Sequence, residues 1–309
     1  DLIHVQTPFI AHYAGLKAAR KLGLPVVATY HTLFEEYLQH YAPFLPSGWL
    51  RRQARAFSRR QCNQLDAVVV PSSAMRERLG SYGVTSPMHV LPTGIPLQRF
   101  TGGRRQAFRY KHGILSTRPV ALFVGRVAHE KNIGFLLEAL VHARRLVPEM
   151  LLVIAGEGPA LPDLKVQVAR LGLRDNVQFI GYLDRTQELP DCYAAADVFV
   201  FASRTETQGL VLLEAMAAGL PVIALSEMGT VDILGPGRGA ISPQPEPKAF
   251  GAALADFLNK PSAWKHLGEE APEYAAEWSD QAMARRMAQL YSELAGREKT
   301  VTAPLTAAA

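Results

Sequence analysis

Only two cysteines, Cys62 and Cys192, occur among the 309 residues, far apart and in no metal-ligand spacing. That excludes a disulfide framework or a cysteine-based zinc module, and reads as two reduced, buried thiols in a cytoplasmic protein. No uninterrupted apolar run reaches the ~18–20 residues of a membrane span, so a soluble or peripheral protein is expected. The sequence holds no Asp-x-Asp pair and no visible cluster of metal ligands, so no metal is expected. It also shows no recognised nucleic-acid-binding module, and no nucleic-acid partner is expected. Net charge is only +5, but residues 1–100 hold 11 Lys and Arg against 5 Asp and Glu, so the excess is confined to the first third. An excess placed that way suggests contact with something anionic. With 48 % hydrophobic residues and a mean hydropathy of +0.02, the chain is long enough for two globular domains.

What is present is an alternation of short apolar runs and helical spacings. In the first part, strands are expected at 2–5, 26–29, 67–70 and 88–91, with helices at 11–22, 48–64 and 72–80, the last capped by Ser72. In the second, strands are expected at 120–125, 151–155, 177–182, 198–202 and 221–225, and helices at 133–145, 247–259, 262–275 and 280–295. Such alternation argues for parallel sheets covered by helices. Residues 99–116, rich in Gly and Arg with a short helix near 105–111, read as the crossing between domains.

The most informative stretch runs from Ser203 to Ala224. A polar loop with Glu206 follows a strand, and helical spacing over 208–218 sets Leu210, Leu213 and Ala217 on one side before Gly219 stops the helix. The first amides of that helix, at Gln208, Gly209 and Leu210, have no intrahelical partners and favour an anion such as phosphate. Glu206 in the loop and Glu214 inside the helix are pure acceptors that suit vicinal hydroxyls, one of a transferred sugar and one of a ribose. The alternative is a pair of solvated charges on an amphipathic helix. Arg126 and Lys131 follow the strand at 120–125 and offer a guanidinium fork and an ammonium point charge to phosphate. Gly156-Glu-Gly158 invites a dinucleotide reading, but Leu161 stands where the third glycine belongs and no acidic strand end follows, so a nicotinamide site is rejected. His31 sits at the carboxyl end of the second strand, where sheets of this class bind ligands; a histidine satisfied by backbone groups is the other reading. Thr7-Pro8-Phe9 with His12 ends the preceding strand in the same way.

The carboxylate-seven-residues-carboxylate spacing of Glu206 and Glu214, the Gly125-Arg126…Glu130-Lys131-Asn132 run and Pro92-Thr93-Gly94-Ile95 together resemble the retaining GT-B glycosyltransferases of the family-four (glycosyl transferases group 1) type, similar to bacterial glycolipid-forming members. That resemblance implies an α/β fold of two Rossmann-like, doubly wound parallel-sheet domains facing a cleft. It implies an acceptor-side domain with its linker at 1–114, a nucleotide-sugar domain at 115–275, a helix at 276–295 crossing back, and a disordered tail at 296–309. Because members carry further strands and a glycine-rich acceptor loop before this point, the first domain is expected to be incomplete. By the same resemblance, Arg126 and Lys131 hold the diphosphate with the amides of Gln208, Gly209 and Leu210. Glu206 and His31 hold the transferred sugar, and Glu214 the ribose. Gly125 and Gly156 lie near the nucleotide, Leu183 meets the base, and Gly94 lets backbone approach the cleft.

The activity implied is metal-independent, cofactor-free transfer of a hexose, with UDP-glucose or GDP-mannose as donor, to a lipid such as diacylglycerol or phosphatidylinositol. The basic, aromatic-flanked segment 37–60, with Arg51, Arg52, Arg55, Arg59 and Arg60, is similar to the corresponding region of glycolipid-forming members and is expected to meet an anionic membrane face. Solvated arginines on a helix face are the alternative there. Other readings kept open are a soluble sugar or polysaccharide acceptor, a sugar-nucleotide epimerase on the same architecture, and a non-catalytic nucleotide-sugar-binding fragment.

Overall fold

The computed structural model describes residues 1–31 and 47–296. The chain divides into two compact units, one of Asp1–Val70, Arg76–Leu91 and Ala284–Ala309, the other of Pro71–Met75 and Pro92–Met283.

In the first unit, β1 (Ile3–Val5), α1 (Ile10–Leu22), β2 (Val26–Thr29), α2 (Ser47–Cys62), β3 (Ala67–Val70), α3 (Ser73–Ser81, whose first three residues group with the second unit) and β4 (Met88–Val90) follow in order. The strands form a parallel sheet in the order β1-β2-β3-β4. Every residue of β3 is buried, which is why it reads as the unbroken run Ala-Val-Val-Val with no polar alternation. Helix α2 buries Leu50, Ala54 and Ser58, while Arg51, Arg52, Arg55, Arg59 and Arg60 stay exposed. The Arg55 guanidinium lies 5.5 Å from the centre of the Tyr82 ring, a cation–π contact. Ser72 caps α3 as expected, its Oγ accepting from the Met75 N–H at 3.3 Å. The aromatic part of the expected membrane segment, 37–46, and residues 297–309 of the expected tail lie outside the described residues.

The second unit holds α4 (Arg105–Lys111), β5 (Val120–Val124), α5 (Ile133–Ala143), β6 (Leu151–Ala155), α6 (Leu161–Arg170), β7 (Val177–Gly181), α7 (Glu188–Ala195) and β8 (Val198–Phe201). It continues with α8 (Leu210–Ala217), β9 (Val222–Ala224), α9 (Val231–Leu234), β10 (Ala240–Ile241), α10 (Pro247–Asn259), α11 (Lys265–Ala276) and the start of α12 (Asp280–Ala295). The six strands pair in parallel in the order β10-β9-β8-β5-β6-β7. Chain direction across the sheet therefore reverses between β5 and β8, the place where open sheets of this kind leave a crevice at the carboxyl edge. Phe123, Phe199 and Phe201 stack at the centre of the core, Phe123 and Phe201 with centroids 5.9 Å apart. Phe135 of α5 meets Phe250 of α10 edge-on at 5.5 Å. From Ala284 onward α12 groups with the first unit, where the Arg286 Nη2 donates to the Val90 carbonyl at 3.2 Å.

Several expectations change. Residues 92–114, placed with the first domain and including most of the linker read at 99–116, group with the second unit, because Phe100, Phe108 and Ile114 are buried in its core. Helices α6 and α7 and the two-residue β10 were not anticipated. The segment of α7 carries Pro190 and only eight residues, and its start is fixed instead by the Leu189 N–H donating to the Asp184 carbonyl at 2.9 Å. Helix α8 is not amphipathic: Leu212, Leu213, Glu214, Ala215, Met216 and Ala217 are all buried. It also starts at Leu210 rather than 208, because Gly209 takes the left-handed conformation at φ +95°. Gly94 has a structural reason of its own: a Cβ there would stand 2.5 Å from the Asp280 Cα and 2.7 Å from the Ser279 carbonyl oxygen. Its bareness admits the chain entering α12.

Candidate donor site at the switch point

The loops that leave β5 and β8 stand on either side of the reversal in strand order, and side chains tie them together. Asn132, in the left-handed conformation at φ 55°, ends the β5 loop and donates through Nδ2 to the Ala202 carbonyl at 3.1 Å. Ser203 Oγ donates to the Glu130 carbonyl at 3.1 Å. Between these two ties Lys131 Nζ meets Glu206 Oε1 at 2.5 Å, with the side chains only 22 % and 17 % exposed. The structure thus brings together two of the sequence-expected residues from strands far apart in the chain.

Arg126 is the more open cation, 53 % exposed, and it pairs with Glu130 of its own loop. It also lines a pocket of about 290 Å³ together with Gly125, Gly156, Leu183, Arg185 and Glu214. The pocket wall is made by two loops in backbone contact: a Cβ on Gly156 would sit 1.9 Å from the Gly125 carbonyl oxygen, so no other residue fits there without parting β5 from β6. Gly125, Gly156, Leu183 and Glu214, four of the expected nucleotide residues, therefore line one cavity.

Glu214 is not a solvated charge. It is 9 % exposed on the second turn of α8, and its Oε2 accepts from the Tyr193 hydroxyl at 2.8 Å. Burial pushes its pKa up, while the Tyr193 hydrogen bond and the Arg185 charge pull the other way. A carboxyl whose folded value lies above its ordinary 4.5 loses its proton first in the unfolded chain. Stability should accordingly fall as pH rises from 4.5 to the raised folded value, and lose nothing further above it. Denaturant melts at a series of pH values should show that slope in the wild type and a flatter one in Glu214→Gln.

Of the three residues expected to open α8, Leu210 is its first and Gly209 its N-cap, while Gln208 lies before it and turns its side chain to Thr93, the Oε1 accepting from the Thr93 N–H at 2.9 Å. His31 lies at the end of β2 in the first unit, its Nε2 bonded to Gln6 Oε1 at 3.1 Å. His12 is buried in α1, and desolvation lowers its pKa. Tyr193, Ser203 and Arg185 were not singled out from sequence. Tyr193 precedes its partner Glu214 by 21 positions across a strand and a loop, so no local spacing signals the pair. The loop at Glu227–Thr230, which sequence left without a role, closes on itself through a capping box and sends the Gly229 N–H to the Glu206 carbonyl at 2.9 Å. Among the described residues no helix is long and apolar enough to cross a membrane, and no group of three or more His, Cys, Asp or Glu is placed to hold a metal.

A family model described as glycosyl transferases group 1 matches residues 104–274, and one described as Glycosyltransferase Family 4 matches residues 1–99. The chain belongs to the glycosyl transferases group 1 family. Members similar to it include the alpha-monoglucosyldiacylglycerol synthase of Streptococcus pneumoniae, 37 % identical over 231 residues, covering 72 % of this chain and 51 % of the relative. The GDP-mannose-dependent alpha-mannosyltransferase of Mycobacterium tuberculosis is 30 % identical over 310 residues, covering 97 % of this chain and 73 % of its own length. The matched region thus spans about half the length of the first of these family members. Among solved structures, Anabaena Alr3699/HepE in complex with UDP superposes with a TM-score of 0.80 over 95 % of this chain and 79 % of its own, at 20 % identity. The family's GT-B α/β fold of parallel sheets is therefore the fold of this chain, as expected from the motifs.

Proposed function

We propose that the protein transfers a hexose, glucose or mannose, from a nucleotide diphosphate sugar to an acceptor hydroxyl with retention of configuration and without a metal ion. The observation that carries this reading is the Lys131–Glu206 pair, half-buried at the strand-order reversal, in the same unit as the cavity lined by Arg126, Gly156 and Glu214. In the reaction the anomeric C–O bond to the diphosphate breaks and the diphosphate leaves with the electron pair. The acceptor oxygen bonds the anomeric carbon from the same face, and its proton passes to the departing phosphate oxygen. Charge builds on that oxygen as the bond breaks. Preorganised cations and amides aimed there stabilise the transition state more than the ground state.

In this reading Lys131, Arg126 and the amides at Gly209 and Leu210 bind the diphosphate, Glu206 the transferred sugar, Glu214 the ribose, and Leu183 the base. Glu130 and Glu206 hold the two cations until the phosphates replace them. A diacylglycerol-like or phosphatidylinositol-like acceptor is favoured by the relatives' names and by the five exposed arginines of α2, which suit an anionic membrane face.

The test uses radiolabelled UDP-glucose and GDP-mannose with vesicles containing diacylglycerol or phosphatidylinositol. Label is expected in the lipid fraction, undiminished by EDTA. Isomerised donor would instead mark an epimerase, binding without turnover a non-catalytic module, and loss of activity in EDTA would overturn metal independence.

A further inference from the structure

The loop that carries Glu206 is held at three successive residues by three separate segments of the same unit. The Glu206 carbonyl accepts from the Gly229 N–H at 2.9 Å. The Thr207 carbonyl accepts from Ser72 Oγ at 2.7 Å. Gln208 makes a matched pair with the backbone of Thr93: its Oε1 accepts from the Thr93 N–H, and its Nε2 donates to the Thr93 carbonyl, both at 2.9 Å.

A primary amide can present an acceptor and a donor side by side, which a carboxylate, a hydroxyl or an ammonium cannot. Gln208 is 5 % exposed, so its amide cannot turn to water in place of Thr93, and the exposed Thr93 segment is tied to the loop through this side chain. The side chain of Gln208 is therefore not available to a ligand, although it lies between Glu206 and the first amides of α8.

We propose that Gln208 is a positioning residue: by clamping Thr93 it fixes the loop from Glu206 to Gly209, and so sets the Glu206 carboxylate against Lys131. This rests on the transferase reading given above. Its logic is that a catalytic group misplaced by about 1 Å can cost about 10²-fold in rate while leaving substrate affinity nearly intact.

The experiment compares the full chain with Gln208→Ala and Gln208→Glu, after wild-type turnover and UDP or GDP binding have been measured. Wild type that neither turns over nor binds either nucleotide sinks the transferase reading itself, whatever Gln208 does. Given wild-type turnover, Gln208→Ala is expected to lower kcat by roughly 10–100-fold with KM changed by less than about threefold. Amide exchange in peptides covering 203–210 should speed up in the same variant. Gln208→Glu carries a sharper signature. Ionised, it can accept from the Thr93 N–H but sets a second acceptor against the Thr93 carbonyl; protonated, it recovers the donor. Its kcat relative to wild type should rise as pH is lowered from about 8 to about 5.5, while the same ratio for Gln208→Ala stays flat. Wild-type kcat in Gln208→Ala, or a loss without pH dependence in Gln208→Glu, overturns the proposal.

Discussion

Lys131→Ala is expected to lower kcat for sugar transfer by roughly 10²–10³-fold, the range seen when one preorganised donor to a developing negative charge is removed. The fold should hardly notice. The Lys131–Glu206 pair is partly exposed, and removing one member of such a pair changes stability by about 1 kcal/mol, so Tm should move by only a few degrees. A competing explanation is that Lys131 serves only to neutralise Glu206. The two accounts separate in a double variant: if neutralisation were the whole role, Lys131→Met combined with Glu206→Gln would be no slower than Glu206→Gln alone. A clamp on the leaving diphosphate predicts a further large loss beyond Glu206→Gln, because nothing in the double variant meets the charge that forms as the bond breaks. Initial rates at saturating donor decide between them. A rate within a few-fold of wild type in Lys131→Ala would sink the phosphate assignment.

What sequence offered for the candidate site is local: Glu206 and Glu214 stand eight positions apart on one loop and one helix, and Arg126 and Lys131 share one short loop, so each pair could be singled out by spacing alone. The strands read well for a related reason: β5 and β6 are buried at every position and show as continuous apolar runs. What sequence did not show is long-range. That Lys131 meets Glu206 depends on β5 and β8 being neighbours, a matter of strand order. The holding of Glu214 by Tyr193 and of Gln208 by Thr93 likewise joins residues 21 and 115 positions apart. Gly94 adds a long-range reason of its own: another stretch of backbone, at Ser279 and Asp280, passes against it. Helix α6 has an amphipathic period, with Leu164 and Val168 buried four positions apart and Lys165 exposed between them, and it was simply missed; α7 offered none, since all but two of its residues are buried and a proline is among them.

Arg109→Ala should be the most damaging single change to the stability of the second unit, at about 3–5 kcal/mol, the cost of breaking a buried charged network from one side. Read as linker from sequence, Arg109 is 1 % exposed, and its guanidinium is fully engaged. Nε donates to the Ala195 carbonyl at 2.8 Å, Nη1 to the carbonyls of Leu115, Ser116 and Arg118 at 3.0, 3.0 and 2.8 Å, and Nη2 to Asp197 Oδ2 at 3.1 Å. The carbonyl of Ala195 is at the C-terminus of α7, where a cation is favoured by the helix dipole. The same Asp197 also takes Arg105 Nη2 at 2.6 Å and the Val120 N–H at 2.8 Å, so α4 and the starts of β5 and β8 meet on one carboxylate. Truncating Arg109 strands these carbonyls in a dry place, whereas Arg105→Ala removes a half-exposed partner and should cost about 1 kcal/mol. For a unit of this size the Arg109→Ala loss corresponds to a fall in Tm of roughly 10 °C, readable by calorimetry. Arg109→Lys should recover only part of it, since one ammonium cannot reach acceptors spread around a planar fork. The network sits at the amino ends of β5 and β8, while Lys131 and Glu206 follow the carboxyl ends of the same two strands. Well below its lowered Tm, Arg109→Ala should therefore keep a near-normal KM and kcat, the mirror image of Lys131→Ala. If instead its rate falls at a temperature where it is fully folded, the two edges of these strands are mechanically coupled and the separation of stability from catalysis fails.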